Sequence, residues 1–223
     1  MLELLAEHKA IVDSVGQVTI SWANLESDLF ELFQLLCGQQ ESRYIPGVIF
    51  YTPSNVETRI SLVDNLITYH CEFNSIGEAD ERLLALWNPI KGKINKLKNT
   101  RNAVVHGKII GEATADSFVQ SRLGPPFSDT MRLLPKLITG QMGGLGSNEL
   151  MLHHQAVTRV SERMRKLNEA FQLRMQVISA PDRDATIRKL LELTPQVEIR
   201  SYTQNSQDQE PLDKTGRDPS SLE

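Results

Sequence analysis

Cysteine is scarce in this chain. Cys37 and Cys71 are the only two in 223 residues, with no C-x-x-C spacing and no cluster of further ligands around them. That argues against a disulfide framework and against a cysteine-based zinc site. Both lie in helical patterns, where small buried thiols in a reducing compartment are expected. Long apolar runs are missing too. No stretch approaches the roughly 18 residues that a membrane-spanning helix requires, so no contact with a membrane is expected. The opening M-L-E-L-L-A-E-H-K holds two glutamates and no basic segment ahead of an apolar run. No signal peptide is therefore expected, and a cytoplasmic protein is. There is no excess of positive charge: 24 Lys and Arg stand against 28 Asp and Glu, a net charge of −4. Binding to nucleic acid would have to come from a local basic patch.

What is present is helical periodicity. Val15, Val18, Trp22, Leu25, Leu29, Leu32, Phe33 and Leu36 recur at steps of three and four and predict a first helical stretch up to Cys37. Gly16 is a candidate break within it, and Gly38 a candidate stop. Residues 39–55, punctuated by Pro46-Gly47 and Thr52-Pro53, read as a loop. Ser54 or Asn55 can cap a second helix, whose stripe is Val56, Ile60, Val63 and Ile67 and which ends near Cys71. A third helix starts near Glu78 with Leu83, Trp87, Ile90, Ile94, Leu97, Arg101 and Val104 in one stripe. Pro89 lies inside it, so the helix is expected to begin or bend there. Residues 107–147 form an insert, a loop or small β-hairpin in which K-I-I-G-E-A and S-F-V-Q-S-R-L are the candidate strands. A last helix runs from Ser147 or Asn148 to Ser179, with Leu152, Ala156, Val160, Met164, Leu167, Phe171 and Met175 in register. The expected fold is all-α, an up-and-down helical bundle over residues 1–180 followed by a flexible tail, 181–223. Beyond about residue 195 the tail is too polar to offset the entropy of ordering.

The stretch N-T-R-N-A-V-V-H-G, residues 99–107, closes the third helix. Arg101 shares the stripe of Ile94, Leu97 and Val104. A guanidinium stays charged, so on an apolar seam it needs an acidic partner or a ligand anion. His106 follows five positions later, about 140° around a continuous helix, so the two would not meet within one straight helix. Gly107 is expected to supply a left-handed turn that closes the helix and lets His106 swing off its path. His106 would then sit at the negative end of the helix dipole. The plainer reading is an Arg in a buried ion pair and a His that only ends a helix.

The motif resembles the signature of the HEPN family, Arg-x4–6-His with a polar residue, often Asn, after the Arg. Arg101, Asn102 and His106 fit it, and Gly107 completes the R-N-x-x-x-H-G form. The early W-A-N-L-E-S-D-L-F, residues 22–30, is similar to the first core helix of such proteins. The resemblance covers roughly residues 10–110 and 148–179. It implies a helical bundle that forms a homodimer along the motif helices, so that Arg and His from two chains face one cleft. Many members are metal-independent ribonucleases in toxin–antitoxin, phage-defence or RNA-processing systems, so an antitoxin or nucleotidyltransferase is a candidate partner. Others keep the fold without activity and serve as modules for RNA, a nucleotide or a partner protein.

The residue types suit that chemistry. RNA brings its own nucleophile, the 2′-hydroxyl. An imidazole that titrates near neutrality can take its proton, and a second can protonate the departing 5′-oxygen. A guanidinium can hold the phosphate bidentately. Asn102 can orient either. The product ends would be a 2′,3′-cyclic phosphate and a 5′-hydroxyl, with neither metal nor cofactor needed. No acidic residue lies between Arg82 and Gly111, and Lys93, Lys96, Lys98 and Lys108 are the candidate RNA contacts there. A solvated helix face explains the same lysines. Glu26, beside the first apolar stripe, is the candidate structural partner of Arg101. Adjacent His153 and His154 point about 100° apart on a helix, a poor metal site, and are expected to be solvated. His70 and Cys71 read as structural, Trp22 and Trp87 as core. Q-M-G-G-L-G-S lacks the lysine of a phosphate-binding loop.

Overall fold

The computed structural model describes residues 2–38, 42–113, 118–124, 144–177 and 182–193. They form an all-α bundle with one small hairpin. The helices are α1 (Leu2–Leu36), α2 (Tyr44–Tyr51), α3 (Val56–Thr68), α4 (Glu78–His106), α5 (Ser147–Val177) and α6 (Arg183–Leu193). Strands β1 (Lys108–Ala113) and β2 (Phe118–Gly124) pair antiparallel, from Lys108 opposite Gly124 to Glu112 opposite Gln120, with an irregularity after Glu112. Both expected strands are therefore present. The glycine-rich 140–143 and most of the insert between β2 and α5 lie outside the described residues, as do residues 194–223 of the expected tail.

The apolar stripes face inward as periodicity requires. Trp22, Leu25, Leu29, Leu32 and Phe33 of α1 meet Val157, Val160, Met164, Leu167 and Phe171 of α5, along with the stripes of α3 and α4. The α1–α5 pairing is the most extensive. Asp28, buried on α1, takes hydrogen bonds from Ser161 and Arg165 of α5, while its backbone carbonyl accepts from the Asn168 amide. In α5 the stripe starts from Leu150, His153 and Val157, whereas Leu152 is 63 % exposed. His153 is thus buried rather than solvated, and burial lowers its pKa from the ordinary 6.5.

Several local expectations are corrected. Gly16 does not divide α1, because Ile11, Val18 and Trp22 are buried on both sides of it and hold the helix together. Residues 39–55 are not all loop. Pro46 falls in the first turn of α2, where a backbone N–H would lack a helical acceptor anyway, so the proline costs nothing there. Pro89 does not start α4, since Leu83 and Trp87 before it and Ile90 after it are all buried. The α3 helix runs on through a π turn, Tyr69–Phe73. Asn55 is its N-cap, accepting from the Thr58 amide at 2.7 Å. Gly38 does stop α1, at φ 70°. Cys71 is buried as expected, but Cys37 is exposed just past the end of α1.

Residues 183–193 are helical rather than part of a flexible tail. Asp182 caps α6 by accepting from the Ala185 amide at 2.9 Å, and Leu190 is fully buried in the main core. The Leu191 carbonyl accepts from Arg82 of α4. Ile187, Leu190 and Leu191 carry the helical spacing that makes this possible.

A second, smaller core lies where α4 ends. Ile11 and Val18 of α1, Val104 of α4, Leu123 of β2 and Leu150 of α5 pack there. Gly107 joins α4 directly to β1 in extended conformation, φ −76° and ψ 158°, not in a left-handed turn. Its lack of a side chain matters for space: a Cβ would sit 2.5 Å from the Ala103 carbonyl oxygen and 2.8 Å from Leu123 Cγ. His106 accordingly stays on the helix as its last residue.

The most deeply buried charge is Arg174 of α5, with no exposed surface. Its Nε donates to Asp80 Oδ1 at 2.7 Å, and its second nitrogen donates to the carbonyls of His70 and Asn74. Asp80 also accepts from the Ile76 amide at 2.6 Å. One guanidinium thereby fixes α5, the start of α4 and the π turn to each other. Beside it, burial and then the Asp80 carboxylate push the Cys71 thiol up to about 12, so it is a closed, unreactive core thiol. His70 lies buried on the same turn, its Nε2 against the Leu36 carbonyl at 2.8 Å.

Two measurements check this account. Arg174→Met leaves the Asp80 carboxylate buried without its cation and should cost about 3–5 kcal/mol in denaturant unfolding, with Arg174→Met/Asp80→Leu recovering part of the loss. For His153 the folded state prefers the neutral ring. That stability is fully present above pH 6.5 and is lost as pH falls through the lowered folded-state pKa. Unfolding followed from pH 7.5 to 5 should fall less steeply for His153→Gln than for the parent chain. Parallel curves would show that His153 carries no such linkage.

Candidate functional site

Glu26, on α1, is the meeting point of the motif and the bundle. It is largely buried, with its side chain 17 % exposed, so its charge must be met locally. Trp22, one turn earlier, donates its indole N–H to Oε1 at 2.8 Å. Arg59 of α3 donates to Oε2 at 2.8 Å, and its Nε reaches the Pro53 carbonyl. Arg101 of α4 approaches Oε1 at 3.7 Å. Its other terminal nitrogen donates to Asn102 Oδ1 at 3.2 Å. The expected Glu26–Arg101 contact is thus present, but Arg59 is the closer cation.

The consequence for Arg101 is quantitative. A pair at 2.8 Å whose partners are only 12 % and 17 % exposed carries most of the neutralisation of Glu26. A contact at 3.7 Å to a side chain 27 % exposed adds little. Arg101 therefore keeps donors free and helps line a groove of about 130 Å³ between α1 and α4. The Glu26 carboxylate and Trp22 line it as well, with Val18, Ala23, Val104 and Val105 as its apolar walls. Above it, Arg59 lies over the Tyr51 ring of α2, 5.3 Å from its centroid. Burial, then the Glu26 carboxylate, push the Tyr51 phenol up.

Asn102 and His106 are both exposed, and His106 makes no hydrogen bond to another described residue. Both Arg101 and His106 lie within α4, so they project about 140° apart within this chain. Arg101, Asn102 and Glu26 are brought together, while His106 is not brought to Arg101 within this chain.

The basic stretch is partly neutralised. Arg82 pairs with Glu78, Lys91 with Asp64 at 2.8 Å, and Lys98 with Glu57 at 2.9 Å. Asp64 also accepts from the Trp87 indole at 2.7 Å. Of the candidate contacts, Lys93, Lys96 and Lys108 are exposed without an acidic partner among the described residues, and Lys98 is engaged. Two larger depressions lie elsewhere. One of about 620 Å³ borders Gln34, Arg43 and Gln172, and one of about 590 Å³ borders Pro89, Arg163 and Leu193. Among the described residues, no three of His, Cys, Asp and Glu are placed to hold a metal ion, and no helix is long and apolar enough to cross a membrane.

Sequence reasoning missed Trp22 and Arg59 as members of this cluster. A signal existed for Trp22: a buried indole N–H needs an acceptor, and Glu26 stands at i+4. Nothing in the local pattern singles out Arg59. No protein-family model, curated protein or solved structure matches the chain.

Arg59→Met should cost about 2–4 kcal/mol in denaturant unfolding, because it leaves Glu26 short of its main cation. Arg101→Met should cost less than about 1 kcal/mol. Equal costs would place Arg101 in the structural pair instead.

Proposed function

We propose that this chain is a HEPN-type endoribonuclease that acts as a homodimer, with Arg101 and His106 catalytic and Asn102 supporting them. The observation that carries the reading is the division of labour at Glu26. Arg59 and Trp22 satisfy the carboxylate, and Arg101 stands beside it at 3.7 Å, with only Asn102 as a further hydrogen-bond partner among the described residues. An arginine needed only for stability would be the closer partner.

In this reading the RNA phosphate replaces the loose contact of Arg101. His106 takes the 2′-hydroxyl proton, O2′ bonds to phosphorus, and the bond from phosphorus to O5′ breaks as a second imidazole protonates the leaving oxygen. Arg101 holds the phosphate oxygens while negative charge builds on them. The 140° divergence within one chain is what a second chain resolves, by bringing its own His106 to this Arg101. No step uses a metal ion, and DNA lacks the nucleophile. Lys93, Lys96 and Lys108 offer the strand its backbone contacts. A toxin or phage-defence effector, held in check by an antitoxin or nucleotidyltransferase partner, is the setting that the resemblance implies.

A second reading keeps the fold and drops the chemistry. The residual Glu26–Arg101 contact, and the pairing of Lys91 and Lys98 with acids, suit a non-catalytic module that binds RNA, a nucleotide or a partner protein.

Purified protein incubated with mixed RNA and EDTA should release 2′,3′-cyclic phosphate ends. His106→Ala and Arg101→Ala should each lower the rate by at least about 100-fold with helicity unchanged. Overexpression should arrest growth, relieved by His106→Ala. Cleavage undiminished in both variants would reject the assignment and favour the second reading.

A further inference from the structure

Pro89 lies within α4, exposed and outside the apolar core. It has no N–H, so the Ala85 carbonyl one turn earlier loses its helical donor. Both residues line the cleft of about 590 Å³ between α4, α5 and the end of α6. That volume is in the range of small-molecule sites, which combine an apolar floor with a few placed polar groups. Leu86, Ile90 and Leu167 form the floor here, and Leu193 closes one side.

The charged groups of the cleft are sorted along it. α4 and α5 run antiparallel: Asp80, near the start of α4, bonds Arg174, near the end of α5, and Val104, near the end of α4, shares the small core with Leu150, near the start of α5. Arg163 and Lys166 therefore stand level with Ile90 and Pro89, and Glu169 level with Ala85. Arg82 donates to the Leu191 carbonyl, which brings Glu192 of α6 to the Ala85 end as well. All four charged side chains are exposed, and none has a hydrogen-bond or ion-pair partner among the described residues. Lys166 and Glu169, three apart on one helix, do not pair even with each other.

We infer that this cleft binds a small amphipathic zwitterion, with a primary ammonium at one end, a carboxylate at the other and an apolar body between them. An ammonium carries three N–H donors. The Ala85 end meets them with the free carbonyl and the carboxylates of Glu169 and Glu192. At the other end a carboxylate meets Lys166 and the bidentate fork of Arg163. Arg163 and Glu169 are six residues apart, about 9 Å along α5, which sets the spacing of the two ligand charges. A ligand with only a carboxylate leaves Glu169 and Glu192 covered without a cation, and one with only an amine leaves Arg163 and Lys166 without an anion. The site does not rest on the ribonuclease reading. Pro89 precedes Arg101 by twelve residues, about 18 Å along α4 and 120° around it, so the cleft is apart from the Arg101 groove.

Calorimetric titration of the full chain with ω-aminooctanoate, octanoate and octylamine tests the site. ω-Aminooctanoate should bind at one site per chain, at least about tenfold more tightly than either singly charged analogue. Arg163→Glu/Lys166→Glu, folded by circular dichroism, should lose ω-aminooctanoate and bind octylamine instead. Pro89→Ala returns a donor to the Ala85 carbonyl, so it should raise the melting temperature and weaken ω-aminooctanoate about fivefold. Glu169→Gln/Glu192→Gln, which leaves the α4 backbone untouched, should weaken it about tenfold. Absence of saturable ω-aminooctanoate binding up to millimolar concentration overturns the inference. So does octanoate binding as tightly as ω-aminooctanoate, or an affinity indifferent to both double substitutions.

Discussion

Charges withdrawn from water must be matched, and in this bundle the matching joins segments far apart in the chain. Asp80 and Arg174 are 1 % and 0 % exposed and link α4 to α5 across 94 residues. Glu26 binds α1 to α3 through Arg59, and Asp64 binds α3 to α4 through Trp87 and Lys91. The apolar core supplies the larger share of the driving force, but it has little direction. A carboxylate with one acceptable cation sets the rotation and register of the helices it joins, because a helix turned by one position strands a charge in the interior.

The same constraint shapes the candidate site. Val104 is buried in the small core with Ile11, Val18, Leu123 and Leu150, and Gly107 lets β1 leave at once because Leu123 occupies the place of a side chain. These contacts fix the last turn of α4. Arg101 is then held on the inner side beside Glu26, while Asn102, Val105 and His106 face outward. A turn that must remain packed cannot bring its own arginine and histidine together. The proposed chemistry therefore depends on a second chain.

Much of the fold was legible in the sequence because helical stripes are local. Val56, Ile60, Val63 and Ile67 are all buried, as their spacing requires, and so are Leu83, Trp87, Ile90, Ile94, Leu97 and Val104. The strands of the hairpin were legible as well. The misjudged places were those where tertiary contacts outweigh local signals. Pro89 and Gly16 weaken a helix by amounts that flanking buried residues exceed. Residues 44–51 and 183–193 become helical because Phe50 and Leu190 find places in the core. His153 is drawn inside by its position in the α5 stripe, and Gly107 is selected by the nearness of Leu123 rather than by a turn.

For the site, the sequence by itself determined which chemical groups are available and roughly where: a guanidinium on an apolar seam, an amide beside it and an imidazole at the helix end. Spacing along a helix also determined that the guanidinium and imidazole of one chain diverge, because 100° per residue leaves no choice. Only the tertiary structure decided which cation Glu26 holds. That depends on the distance between α1, α3 and α4, set by side-chain packing between segments more than thirty residues apart, and by that distance Arg59 is bound tightly and Arg101 loosely.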